Sequence, residues 1–281
     1  MSDEREGRNR IFGADDRNME AVDRVKTELG LDVPVEEVPL PSRGLIYPST
    51  SALHRRETLS IRAMTTREED ILTSRALIKK GTVITELIKS SIADRNVDVR
   101  EMIAGDRNAL MVAIRIMGYG PNYNVDITCS ACEKKNSDYE FMLDKLELKR
   151  LNIEPAVVGE NRFLFKLPVS KHDVEFKFLS GRDEEEIVVT QDRMKKIGAE
   201  NDKLVSGRLK YNILSIAGKT DRSLINAAVD KMLARDSLEL RRYIEKNEPG
   251  ISMSQEFVCN HCDHVEEVAI PIGTNFFWPQ S

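Results

Sequence analysis

Four cysteines stand in two pairs of one form, Cys129-Ser-Ala-Cys132 and Cys259-Asn-His-Cys262, in a chain of 281 residues. Two residues between cysteines let both thiolates face one side of a tight turn, and two such turns facing each other complete a closed tetrahedral shell for Zn2+. A shell without an open position holds structure and does no chemistry on a substrate. Each pair lies between runs of strand character, 124–128 and 138–142 around the first, 255–258 and 265–270 around the second. Strand, turn, strand is the layout of a zinc knuckle. The competing reading is a redox dithiol, which needs a helix N-terminus directly after the pair to lower the thiol pKa. No helical pattern follows either pair. His261 and His264 crowd the second knuckle, yet three ligands from so short a loop would be strained. They are read as groups around the shell or in solvent, with replacement of a cysteine by one of them as the alternative.

Little else in the chain suggests chemistry. No Gly-rich phosphate loop, nucleophile elbow or metal-hydrolase helix motif is present, and Gly118-Tyr-Gly120 before Pro121 reads as a helix stop and turn. His54 and His172 fall in polar turns and are assigned no role. Acidic residues near helix starts, Glu68, Glu69 and Asp70 after Thr65, and Asp183 to Glu186 after Ser180, complement the positive end of the helix dipole rather than form a catalytic pair. No enzymatic activity is expected.

Composition narrows the partners. Lys and Arg number 42 against 47 Asp and Glu, a formal charge of -5, so the excess of cations that duplex nucleic acid demands is missing. A nucleic-acid-binding zinc-ribbon regulator is the second hypothesis, but Lys134, Lys135, Lys145, Lys149 and Arg150 are mixed with acids near the first knuckle. Asp263, Glu266 and Glu267 make the second acidic. No run of about 18 apolar residues and no N-terminal apolar h-region occurs, so a membrane location is not expected. Cysteines in a reducing compartment bind metal more often than they form disulfides.

The elements that must position the cysteines occur in the same order twice. Strands over 44–48 and 57–64 precede helices over 66–79, 82–92 and 106–117, the last carrying the apolar stripe Leu110, Met111, Ile114 and Met117. Strands over 162–168 and 173–179 precede helices over 182–197, 202–217, 222–234 and 237–247. The expected fold class is α+β, two related halves joined by a composite four-cysteine zinc ribbon, each half a strand pair, a group of helices and a CxxC knuckle. A polar arm covers 1–42, the first half 43–143, a connector 144–161, the second half 162–270 and an aromatic tail 271–281. A pseudo-two-fold relation between the halves would make mates of knuckles that lie far apart in sequence.

Both termini offer contact segments. Met19, Val22, Val25 and Leu29 recur at helical spacing and predict a short amphipathic helix, docked either on a partner or on its own domain. Phe276, Phe277 and Trp278 either pack on their own zinc half or plug a pocket in a neighbouring subunit.

The run Leu40-Pro-Ser-Arg-Gly-Leu-Ile-Tyr-Pro48, then Ile61-Arg-Ala-Met-Thr-Thr-Arg-Glu-Glu-Asp-Ile-Leu72, then Ile116-Met-Gly-Tyr-Gly120 and the first knuckle, resembles the T4-type phage baseplate family over most of 38–279. That family includes hub subunits and a hub-assembly factor of contractile-tailed phages. The resemblance implies a non-enzymatic structural or assembly role in the virion tail baseplate, with assembly in the host cytoplasm. Implied partners are other tail baseplate proteins, or further copies of the chain in a homo-oligomer or symmetric ring.

Overall fold

The chain enters its core through strand β1 (Val35–Pro39), which pairs with β2 (Thr58–Arg62), where buried Leu59 and Ile61 alternate with more exposed residues. The computed structural model describes residues 32–196, 204–270 and 274–277, so Met19, Val22, Val25, Leu29 and Trp278 lie outside the described residues. From Glu36 onward the chain forms one compact unit. The stretch expected to be a polar arm up to residue 42 thus contributes a strand, and Val38 and Leu40 are buried. The strand expected over 44–48 is instead a series of turns. Arg43 (φ 52°) and Gly44 (φ 67°) are both left-handed, which breaks an extended run. A Cβ on Gly44 would lie 2.4 Å from the backbone of Leu53 and Arg56.

Helices α1 (Thr66–Thr73), α2 (Arg75–Lys80), α3 (Val83–Ser91) and α4 (Ala104–Tyr119) follow. The single helix expected over 66–79 is interrupted at Ser74, which is extended (ψ 103°). Of the acids after Thr65, Glu68 has a structural task. The Glu68 carboxylate accepts from the Thr65 amide (2.9 Å) and hydroxyl (2.6 Å), a capping box, and from the Ser90 hydroxyl of α3 (2.6 Å).

Then come hairpin β3 (Asn122–Thr128) and β4 (Lys135–Met142), and the short β5 (Leu148–Lys149). A three-stranded antiparallel sheet combines β6 (Phe163–Lys166), β7 (Asp173–Phe176) and β8 (Ile213–Ile216) in that order. Helices α5 (Gly181–Lys196) and α6 (Leu204–Asn212) lie between β7 and β8 in sequence. Helices α7 (Arg222–Asp230) and α8 (Ala234–Asn247), strand β9 (Gly250–Ile251), hairpin β10 (Ser254–Val258) and β11 (Val265–Ala269), and a 3-10 turn (Thr274–Phe277) complete the order. The architecture is mixed α and β, with small sheets and eight α-helices among the described residues.

The helix expected over 202–217 stops at Asn212, and its last residues are strand β8. Ile213 and Ile216 suit a pleated surface, and reciprocal bonds between Asn212 and Lys177 (2.8 and 2.9 Å) dock the chain onto the strand that precedes α5. Tertiary pairing overrode helical periodicity here.

One apolar core runs through both halves of the sequence, from Leu59 and Ile61 through Leu110 and Ile114 to Phe176 and Leu240. The start of α4 is its junction with the second half. Ala104 donates to Leu179 O and Gly181 donates to Met102 O, both at 2.8 Å. Gly105 faces Pro249 so closely that a Cβ would sit 1.7 Å from its carbonyl oxygen. β5 and β9 pair across the same seam.

An aspartate occupies the first turn of both α4 and α8, and each secures the loop after a strand. Asp106 accepts from the Ser42 amide (2.9 Å) and hydroxyl (2.6 Å) and from the Tyr47 hydroxyl (2.7 Å). Asp236 accepts from the amides of Val169 (2.7 Å) and Ser170 (3.0 Å). Burial pushes the Asp106 carboxyl above its ordinary range despite these donors. At Asp236 burial also raises the value, but the two amides outweigh it and hold the group below the ordinary range.

Two outcomes follow from these contacts. Gly105→Ala is expected to cost about 3 kcal/mol through overpacking at a rigid backbone, whereas Gly207→Ala, with open space around it, leaves stability unchanged or raises it; urea denaturation reads both. The lowered Asp236 pKa gives stability that is present above the unfolded value of about 3.9 and vanishes as pH falls through the folded value. Asp236→Asn should therefore lower stability by about 1 to 2 kcal/mol at pH 7, and the deficit should shrink on acidification in parallel melts.

Candidate metal centre

Each knuckle is a short turn at the tip of a hairpin, and the two turns match bond for bond. Cys129 N donates to Lys134 O (3.0 Å) and Cys259 N to His264 O (2.9 Å), while Glu133 N and Asp263 N each return to the first cysteine's carbonyl at 3.0 Å. Glu133 (φ 55°) and Asp263 (φ 54°) take the left-handed conformation that closes each turn. Inside the turn the Ala131 and His261 amides each point at the first sulfur, at 3.4 Å. This arrangement puts both thiols of a pair on one side of the backbone.

The hairpins β3–β4 and β10–β11 bring these tips together. Cys129 Sγ lies 3.8 Å from Cys262 Sγ and Cys132 Sγ lies 3.7 Å from Cys259 Sγ, and all four sulfurs fall within 4.8 Å of one another. A metal–sulfur bond of about 2.3 Å gives a tetrahedral S···S edge of about 3.8 Å, so the donor set fits one soft divalent ion. All four cysteines are free thiols. Among the described residues these four form the group of metal-capable side chains close enough to share an ion. Cys129 and Cys259 are buried, Cys132 is half-buried and Cys262 is exposed.

The electrostatics match a site built around a cation. Burial raises the Cys259 thiol, but the amides of His261 and Cys262 and the Asn136 side chain outweigh it and bring it down to about 6. The His264 backbone N–H lowers Cys262, yet its neighbours Cys132, Cys259 and Cys129 push it up to about 12. Sulfurs this close cannot all ionise without positive charge between them.

Contacts outside the sulfurs fasten the two tips together. Buried Asn136 donates to Cys259 Sγ (3.5 Å) and accepts from the Asn260 amide (2.8 Å). Ser130 donates its hydroxyl (2.7 Å) and amide (3.1 Å) to the Glu266 carboxylate. Tyr139 packs edge-on against Phe257 with centroids 4.9 Å apart, and its hydroxyl accepts from the Val258 amide (3.2 Å). His261 directs Nε2 at Lys135 O (3.2 Å), on the rim of the site rather than among the sulfurs, and His264 contributes its backbone. Asn136, Ser130 and Glu266 were missed by sequence reasoning. Their only signal is polar side chains within a few residues of a cysteine pair, which is ordinary for a solvated loop.

A second overlooked signal lies further upstream. Met102-Ile-Ala-Gly-Asp106 and Met232-Leu-Ala-Arg-Asp236 match at three positions, and each aspartate stands the same distance ahead of its knuckle. These segments start α4 and α8, the helices that lead into the two hairpins.

A family model described as T4 bacteriophage base plate protein matches residues 45–278, which include both knuckles and both aspartates. The chain belongs to that family. Neither a curated protein nor a solved structure matches it. The resemblance seen in the sequence is thereby shown. In this baseplate-family chain no helix among the described residues is long and apolar enough to cross a membrane.

The C-terminal aromatics complete the geometry. Phe276 and Phe277 are both buried in the main apolar core, and Phe276 lies against residues of the first half of the chain. Arg115 of α4, itself 1% exposed, explains this placement. Its guanidinium donates to three backbone carbonyls, Phe276 O (2.7 Å), Gly120 O (2.9 Å) and Asn122 O (3.1 Å). The Phe276 ring meets Tyr123 of β3 edge-on at 5.3 Å. Arg115→Met keeps the apolar stem but strands three carbonyls, and should cost about 3 kcal/mol in urea denaturation.

Proposed function

We propose that this chain is a non-enzymatic structural or assembly component of a contractile phage tail baseplate, a hub subunit or hub-assembly factor. Two related halves are clamped at their ends by one structural Zn2+ held by Cys129, Cys132, Cys259 and Cys262. The observation that carries this reading is the convergence of four sulfurs, from knuckles remote in sequence, to within 4.8 Å in a chain whose family match spans both. An all-thiolate tetrahedral shell suits Zn2+, and its closure leaves no position for substrate. The ion's contribution is to draw together hairpins that belong to opposite halves.

A protein of this kind acts through its surfaces. The core, the aspartate-anchored loops and the knuckle junction make the unit rigid, so partners meet preformed faces and pay little ordering entropy. The amphipathic pattern Met19, Val22, Val25 and Leu29 and the tail bearing Trp278 are the segments proposed to contact other baseplate proteins or symmetry mates. Phe276 and Phe277, buried within this chain, are proposed to anchor that contact segment.

Metal analysis of chain purified without chelator should find one Zn2+ per molecule, and Cys129→Ser or Cys259→Ser should abolish it while His261→Ala retains it. Chelation should lower the melting temperature by roughly 10 °C or more, as expected when an ion contributes folding energy directly. A metal-free native protein would overturn the zinc assignment. Deleting 1–31 or 278–281 should impair baseplate assembly in complementation; full assembly without either segment would overturn the contact assignment.

A further inference from the structure

A cavity of about 380 Å3 opens between α6 and α8, within the size range of small-ligand sites. Val205 and Leu209 of α6, Ile244 of α8 and Leu179 give it apolar walls, and Glu248 lines the same space. The backbone around it is fixed on both sides. Leu179 O accepts from the Ala104 amide (2.8 Å), the Glu248 amide donates to Ile244 O (2.7 Å), and the next residue, Pro249, is wedged against Gly105. Among the described residues no group hydrogen-bonds the Glu248 carboxylate. The charges around it offset each other. Arg208 of α6 and Lys149 of β5 favour its ionised form, while Glu184 of α5 and Glu245 of α8 oppose it. Arg208 is shared with Glu184 (4.0 Å), and Lys149 Nζ is committed to Glu245 O. Arg241, the remaining cation of the cavity wall, is exposed and stands four residues ahead of Glu245 on one face of α8. Burial therefore decides, and pushes the Glu248 carboxyl up to about 7. The cavity lacks one positive charge and one hydrogen-bond donor.

We infer that this cavity receives a lysine side chain of a partner protein, its four-carbon stem against the apolar walls and its ammonium on the Glu248 carboxylate. The inference rests on the reading of this chain as a part that acts through protein contacts. Charge complementarity selects the occupant. An acidic group would meet a carboxylate that already lacks a partner, and an apolar one would leave that carboxylate desolvated and without a donor. An ammonium supplies both the charge and the donor. Lysine carries that charge as a compact point at the end of a flexible stem that packs on apolar surface. Walls held by the seam between α4 and Pro249 meet it preformed, so little ordering opposes its entry.

The test titrates n-butylammonium, which has the lysine stem and charge, into the full chain and follows the methyl NMR signals of Val205, Leu209 and Ile244. The probe stays charged between pH 6 and pH 8, whereas Glu248 passes from mostly protonated to mostly ionised, so affinity should rise about tenfold across that range. n-Butanol should bind at least tenfold more weakly than n-butylammonium at pH 8. Glu248→Gln should remove the pH dependence and the preference for the cation. The variant should melt no lower than the native chain at pH 8, because an ionised Glu248 is a cost it lacks, so its loss of binding is not a loss of fold. In complementation the same variant should lower the yield of assembled baseplates. Equal binding of n-butanol, an affinity independent of pH, or binding retained by Glu248→Gln would overturn the site. A cation-selective site in the native chain together with full assembly by Glu248→Gln would overturn the partner lysine. Baseplates that form without the chain at all would remove the functional reading and with it the partner, while the titration on the isolated chain decides the ammonium site separately.

Discussion

Four sulfurs meeting at the tips of two hairpins are the constraint around which the rest of the chain is arranged. Each hairpin alone is a two-stranded ribbon, marginal by itself in water. Joined at the tips, they share Phe257, Tyr139 and the buried cysteines as a small apolar cluster that Ile127, Tyr139 and Val268 connect to the main core. Polar contacts around the sulfurs, from Asn136 to Cys259 and from Ser130 to Glu266, add to the junction between the tips.

The junction transmits that order inward through helices α4 and α8. Each leads toward one hairpin, and each is held at its start by an aspartate that gathers the amides of a loop from its own half. The two aspartates have opposite responses to pH because their surroundings differ. Asp106 is deeply buried and its donors do not offset desolvation, whereas the backbone amides around Asp236 do. Between the helices, Gly105 against Pro249 is a contact that only a residue without Cβ permits. Arg115 adds a guanidinium that three backbone carbonyls accept from, tying the last described residues to the first half.

Much of this organisation was legible in local chemistry. The CxxC spacing, the strand runs around it, the Thr65 and Ser180 helix starts and the apolar stripe of α4 each depend on residues a few positions apart, where propensity and periodicity act directly. The family resemblance was legible for the same reason, since its motifs are contiguous. The errors fell where distant partners decided the outcome. Residues 44–48 look like a strand, but a left-handed pair and the approach of Leu53 and Arg56 turn them into a loop. Residues 213–216 have the pattern of a helix end, but an open edge of β7 made them a strand. The tail aromatics had two plausible homes, and Phe276 lies against Tyr123 with its carbonyl on the buried Arg115.

By itself the sequence determined the kinds of element, the ligand atoms and the side of each turn on which they lie, because these follow from backbone geometry over a few residues. The repeated order of elements already made the two knuckles expected mates, and tertiary structure brought their sulfurs together; it alone decided that Asn136 and Glu266 join the tips and that His261 lies at the rim. Those facts depend on distances between segments separated by more than a hundred residues. Such distances are set by the packing of one shared core, which no local pattern encodes.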